Sequence, residues 1–416
     1  MRNLIIGLFG LATAACAQIA GEDSSEPAPA ASLVDTYDAG DPLALWPQLV
    51  DGASAGENIV YSPVSTAQAL GLVHLGAQGE TARQIEAFLD MGVGDAADRG
   101  LAVQRARFSS MAGSRVRVKI SNALFLSNDF KFRSAYTEGA RSLYSAETMA
   151  VDFDDRPAQA AAAINLWVNR ATEGLIPQVT DTAAIKRDAA AYLINATYFE
   201  GAWSDRFTKI EDSKFLFGDG ETRPFKLMSR EGNYATAQGG GWKAVRLPYD
   251  DQRYALDLML PTQRLSILPV ISPARIGALG DAQSASDRKP IRPIVPRFQA
   301  SMRRDLIPPL LAAGLSLPFD RDRADLTAMI EQDGPRLFID EAFQMAKLEV
   351  FETGTRAAAA TVMVPVPVSA PPPFEGEDFR VDRPFLFALR DLETGAVLFF
   401  GRIMNPEAYT GSADLS

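Results

Sequence analysis

The stretch "GTRAAAATVMVPVPVS", Gly354 to Ser369, joins two halves that call for different backbones. Four consecutive alanines, Ala357 to Ala360, carry the highest helix propensity of any residue, yet Pro365 and Pro367 alternate with valine a few positions later and demand an extended chain. Taken alone, the alanine run reads as an exposed helical turn or a small-residue linker. The flanks decide otherwise. Downstream, "RPFLFALRDLETGAVLFFGRI" (383–403) reads as a hairpin of two strongly apolar strands around a short loop closed by Gly395. Upstream, "FQMAKLEVFE" (343–352) reads as another strand. Strands this apolar belong in a main body, so residues 354–378 form a long loop inside a fold and not a linker to a tail. Loops of that length in a compact domain are functional or disordered.

Composition bounds the rest. The chain has 416 residues, 47% hydrophobic and 22% charged, which describes a soluble globular protein with a sizeable core. A formal charge of -11 works against nucleic acid, heparin-like polyanions or an anionic bilayer as partners and leaves neutral or basic ones. The start reads as an export signal: Met1, Arg2 and Asn3, then the apolar run Leu4 to Ala12, too short to span a bilayer. Small residues Thr13, Ala14 and Ala15 lead to Cys16, as in the bacterial lipoprotein signal, although that motif prefers Leu where Thr13 stands. A cut after Ala17 by ordinary signal peptidase is the competing reading. Residues 17–42, rich in Ala, Pro, Ser and acids, read as a flexible tether, with structure beginning near Leu43.

The counts of two residue types exclude most catalytic chemistry. Cys16 is the single cysteine, so no intramolecular disulfide forms and stability must come from packing. His74 is the single histidine and lies in the apolar helical segment "ALGLVHLGAQGE" (69–80), where a structural role is expected. A Ser-His-Asp or Cys-His machine needs an imidazole beside its nucleophile, and a zinc site needs several His or Cys ligands. With no phosphate loop, dinucleotide fingerprint or calcium loop either, the chain does not read as an enzyme, and no cofactor is expected.

Helices are predicted in "SPVSTAQALGLVHLGA" (62–77), where Ser62 and Pro63 suit a helix start, and in "PAQAAAAINLWVNRATEG" (157–174), where Ile164, Trp167, Val168 and Ala171 share a face and Gly174 ends the run. Strands are predicted in "RVRVKISNALFL" (115–126), with Val116, Val118 and Ile120 alternating, and in "YALDLMLP" (254–261). These mixed signals give an α+β class.

In order along the chain, "NIVYSPVSTAQALGLVHLGAQGETARQI" (58–85), "LINATYFEGAWSDRF" (193–207), "RLPYDDQRYALDLMLP" (246–261), "ETGTRAAAAT" (352–361) and "VDRPFLFALRDLETGAVLFFGRIMNP" (381–406) resemble the signature segments of the serpin family of protease inhibitors. The resemblance covers roughly residues 43–407, with 408–416 as a tail. It implies a serpin fold: three largely antiparallel β-sheets, about eight or nine helices and an exposed reactive-centre loop at 352–378. It also implies a suicide-substrate mechanism, in which a serine protease attacks the loop and the cut loop inserts into the central sheet as an extra strand, carrying the covalently bound protease with it.

The family's functional positions map onto this sequence as follows. The hinge is Glu352, Gly354, Thr355, Ala357, Ala358, Ala359, Ala360 and Thr361; glycine supplies backbone freedom, and small residues slip between strands. Arg356 departs from the acid usual there and should alternate outward. Family spacing puts the reactive bond between Val368 and Ser369, with Met363 or Val366 as alternative cut sites. A β-branched apolar Val368 suits a shallow pocket of the elastase type, or a chymotrypsin-like one, and cannot pair with the acid of a trypsin-like pocket. Val364, Pro365, Val366 and Pro367 would present an extended recognition segment. Ser62, Ser65 and Asn195 match a polar cluster under the sheet that opens, called the shutter; Gln344 stands where the family often has His, so no pH dependence is expected from it. Trp203 matches the aromatic at the breach, where the loop first enters. The resemblance thus implies an exported monomer, anchored through Cys16 in the cell envelope or secreted, that inhibits elastase-like or chymotrypsin-like serine proteases. A non-inhibitory serpin-fold binding protein is the alternative.

Overall fold

The computed structural model describes residues 43–90, 100–102, 116–269, 271–331, 336–355 and 373–408. The C-terminal hairpin lies at the heart of a six-stranded antiparallel sheet, in the order Ile59–Tyr61, Val397–Ile403, Phe385–Asp391, Tyr254–Pro261, Trp242–Pro248, Thr236–Gly239. Both hairpin strands are buried almost throughout, which is why they read as continuous apolar runs instead of alternating. Gly395 turns the chain with φ +74°, where a side chain would be strained.

A five-stranded sheet follows the order Glu377–Arg380, Lys289–Pro296, Thr222–Ser229, Lys209–Leu216, and Gly232–Tyr234 also pairs with Lys289–Pro296. The loop expected over 352–378 is therefore shorter at its distal end. Glu377 and Asp378 already belong to a strand running parallel to Lys289–Pro296, held by Lys289 to Glu377 at 3.3 Å and Arg292 to Asp378 at 2.8 Å.

The third sheet has seven strands: Glu407–Ala408, Phe298–Asp305, Glu341–Phe351, Gly354–Thr355, Ala191–Ala202, Val116–Ser127 and Glu147–Val151. Most neighbours are antiparallel, but Glu341–Phe351 also pairs in parallel with Ala191–Ala202. Ala408, expected in the tail, pairs with Phe298 at the sheet's edge. The α+β class with three largely antiparallel sheets is thus observed, with seven α-helices and two short 3-10 helices among the described residues.

Two helices position the site. Pro157–Ala171 lays Ile164, Trp167, Val168 and Ala171 on the seven-stranded sheet against Phe125, Tyr192, Ile194, Phe343 and Met345. Gly174, just past its end, takes φ +79°. Pro63–His74 is buried on every side and packs against strands of both larger sheets, so it lacks an apolar stripe. Pro63 opens it, but the Ser62 hydroxyl does not cap it. His74 is buried, with Nε2 3.0 Å from Glu86 Oε1.

If the hairpin is core, truncating its centre is costly. Phe400 meets the Trp46 ring edge-on at 4.5 Å, both fully enclosed. Phe400→Ala is expected to destabilise the intact protein by about 3–5 kcal/mol, read as a lowered urea midpoint; an unchanged midpoint would place the hairpin outside the core.

Candidate functional site

The seven-stranded sheet is closed in its lower part and parted in its upper part. Glu341 to Ala346 pair in parallel with Tyr192 to Thr197, and there the ladder stops. The next rungs between these strands are supplied by the loop itself: Gly354 lies opposite Ala202 and Phe351, and Thr355 opposite Gly201 and Val350. Between the two levels, Tyr198 to Glu200 and Lys347 to Glu349 face each other without pairing. The hinge thus already occupies the mouth of a slot whose floor is the closed part of the sheet.

The described hinge residues, Glu352, Gly354 and Thr355, each have a physical reason to be there. A Cβ on Gly354 would come within 2.1 Å of the Gly201 carbonyl, so only glycine fits between the flanking backbones. The sequence reading credited Gly354 with backbone freedom; in the intact protein its role is close approach, and it is not among the glycines with positive φ. Thr355 is 1% exposed, and its hydroxyl lies 2.6 Å from the Tyr249 hydroxyl. Burial pushes the Tyr249 phenol far above its usual pKa despite that hydrogen bond, so it stays neutral. Trp203 stacks on Tyr249 at 4.5 Å and 15°. Its indole donates to the Phe351 carbonyl at 2.8 Å, and its backbone N–H to Thr353 at 3.1 Å. Phe207 N–H donates to the Glu352 carbonyl at 3.0 Å, and Arg297 pairs with the Glu352 carboxylate at 2.5 Å. The turn at Glu352 and Thr353 is therefore tied down from both sides. Arg230 sits beneath it against the rings of Phe207, Tyr234 and Trp203 at 4.6, 5.2 and 5.6 Å, and burial lowers its pKa.

Below the slot lies a wholly buried polar cluster. Asn122, Asn195 and Gln344 stand in line across three adjacent strands, Asn122 opposite Asn195 and Asn195 opposite Gln344. Asn195 donates to Asn122 Oδ1 at 2.7 Å and to the Ser65 carbonyl at 3.1 Å, and its own Oδ1 accepts from Ser65 Oγ at 2.6 Å. Gln344 accepts from Ser62 N–H at 2.7 Å. Its amide nitrogen is within 3.0 to 3.1 Å of the Ser62 carbonyl, Thr66 Oγ1 and Asn195 Oδ1. Three acceptors compete for two hydrogens, so partners can exchange. Ser62 serves the cluster through its backbone, while its hydroxyl has no partner among the described residues.

The structure thus brings together Ser62, Ser65, Asn195 and Gln344 in one cluster and Trp203, Glu352, Gly354 and Thr355 in another. Arg356 to Thr361, Val364 to Ser369 and Cys16 lie outside the described residues. Sequence reasoning missed Asn122, Thr66 and Tyr249. Asn122 had a signal: a polar residue interrupting the apolar strand "ISNALFL". Tyr249 lay within a quoted motif but was given no role.

Comparison with known proteins places this arrangement. The family model described as Serpin (serine protease inhibitor) matches residues 43–406. The chain is 32% identical over 363 residues to glia-derived nexin of Mus musculus, covering 84% of this chain and 88% of that protein. It is 34% identical over 377 residues to Serpin-Z2A of Triticum aestivum, covering 85% and 91%. Among solved structures, native protease nexin-1 with heparin superposes with a TM-score of 0.76 at 26% identity, over 90% of this chain and 99% of that one. The thermophilic serpin tengpin in its native state shares the fold, with a TM-score of 0.77 at 22% identity over 90% and 95%.

Two substitutions test the geometry. Asn195→Ala strands the Ser65 hydroxyl and Asn122 Oδ1, while Gln344 keeps two acceptors; at about 1–3 kcal/mol per unsatisfied buried group, a loss of at least ~2 kcal/mol is expected, and an unchanged melting temperature would show the cluster to be inert. Gly354→Ala should expel the hinge from its slot, seen as faster amide exchange at Trp203, whose N–H donates to the Thr353 carbonyl; unchanged exchange would contradict the seat described here.

Proposed function

The chain belongs to the serpin family of serine protease inhibitors, and on that premise we propose that it traps elastase-like or chymotrypsin-like serine proteases as a suicide substrate. In this reading the protease serine oxygen attacks the Val368 carbonyl. The Val368–Ser369 amide breaks, the amine leaves protonated on Ser369, and an ester joins Val368 to the protease. The freed loop then zips into the slot below Thr355 before water can cleave the ester.

The observation that carries this reading is the seat of Gly354 and Thr355. Two rungs of the new strand are in place, their direction is antiparallel to both neighbours, and after Arg356 come four alanines that add little bulk between strands. Insertion adds about a dozen ladder hydrogen bonds at ~1 kcal/mol net each, enough to deform part of a tethered protease. Export, a lipid anchor on Cys16 and a monomeric state complete the proposal, motivated by the N-terminal sequence.

Mixed with pancreatic elastase and run on a denaturing gel, the protein is expected to yield a covalent band of higher mass; clean cleavage without that band would favour a non-inhibitory binding protein. A sample nicked in the loop should melt above the intact one. Thr355→Arg, which puts a large cation at a position facing the core, should leave the loop cleavable but abolish the covalent band. Undiminished trapping by that variant would count against insertion.

A further inference from the structure

We infer that the cleft between the seven-stranded sheet and the chain following helix Pro157–Ala171 binds a small organic anion, an apolar body carrying one carboxylate. The cleft has a volume of about 580 Å³, within the roughly 300–1,000 Å³ that small-molecule sites occupy. Residues 175–181 and 184 form its wall, and two neighbouring strands, Phe298–Asp305 and Glu341–Phe351, form its floor. None of the hinge residues or of the buried amide row lines it, and the inference does not rest on the trapping of a protease.

The wall is built before any ligand arrives. Asn165 on the helix donates to the Thr180 carbonyl at 2.9 Å and accepts from the Val179 and Thr180 N–H groups at 2.8 and 3.1 Å. The Thr172 hydroxyl accepts from the Ile176 N–H at 3.1 Å. Side chains of the helix thus hold the wall in position, and little ordering entropy opposes binding. Ile176, Val179 and Met345 pack with the cluster under the helix and give the cleft its apolar side.

The floor supplies the charge. Ser301 lies opposite Lys347 and Arg303 opposite Met345, so these four side chains share the face of the sheet that the helix covers. Arg303, exposed at the rim, lays its guanidinium over the Phe343 ring at 4.2 Å and forms no ion pair or side-chain hydrogen bond among the described residues. Asp305, the acid two residues further along its strand, turns Oδ1 to the Ile307 N–H at 3.0 Å. Lys347 spends one of its three hydrogens on Glu349 Oε1 at 2.8 Å, and Glu349 does not line the cleft. The one acid that does, Asp181, accepts from the Ala183 and Ala184 N–H groups, both at 2.9 Å, and so closes its own loop. Two cations against one engaged carboxylate give the cleft a positive balance in a chain whose formal charge is -11. A ligand carboxylate takes charge-assisted bonds from Arg303 and Lys347 while its body lies on the apolar side.

The test titrates the full chain calorimetrically with 2-naphthylacetate and, separately, with the neutral 2-naphthylacetamide. The acid should bind saturably, and the amide about tenfold or more weaker, since it forgoes the charge-assisted bonds. Arg303→Gln and Lys347→Gln should each weaken the acid about fivefold or more and leave the amide unchanged. Ser301→Trp, at an exposed position on the floor, should fill the cleft and abolish binding of both. Circular dichroism checks the fold of each variant; if Ser301→Trp is unfolded, Ala184→Trp on the wall takes its place. No saturable binding of the acid, equal affinity for acid and amide, or undiminished binding to the tryptophan variant would overturn the site. Elastase plays no part in the readout, so the site and the inhibitory reading stand or fall separately.

Discussion

The structure depends on an incomplete seam. Two long strands, Ala191–Ala202 and Glu341–Phe351, are paired in parallel over Tyr192–Thr197 and Glu341–Ala346 and then part company. Each is firmly held on its outer side, by Val116–Ser127 and by Phe298–Asp305. Backbone donors and acceptors left facing one another in a parted sheet are unfavourable unless another strand joins them. The fold therefore leaves room for another strand between them, and Gly354 and Thr355 supply its first two rungs.

The closed part of the seam is held by buried amides. The row Asn122, Asn195, Gln344 crosses the seam inside the closed part, beneath the start of the helix Pro63–His74. Buried amides hold well when paired and poorly when stranded, and around Gln344 there are more acceptors than its two amide hydrogens can serve. An apolar seam would bind as tightly but offer no alternative set of partners. Gln344 also has no titratable group, so the seam's strength does not change with pH through it.

The upper end is governed by packing instead. Trp203, Tyr249 and Phe207 hold the turn at Glu352 and Thr353 through backbone hydrogen bonds and one hydroxyl contact, and Gly354 passes where no side chain fits. The segment 352–355 is thus fixed at its root.

Much of this was legible in the sequence. The apolar hairpin at 383–403, the helix face of Ile164, Trp167, Val168 and Ala171, the scarcity of His and Cys and the alanine run ahead of the prolines are read from periodicity, residue chemistry and local backbone preference, which act over a few neighbours. The ordered motifs identified the family and named Ser62, Ser65, Asn195, Gln344 and Trp203. What no local pattern carries is register across strands far apart in the chain. Only the tertiary structure set Asn122 beside Asn195, put Tyr249 on Thr355 and ended the distal loop at Glu377. Those pairings depend on which strands become neighbours and at what offset, and that is decided by the packing of the whole body.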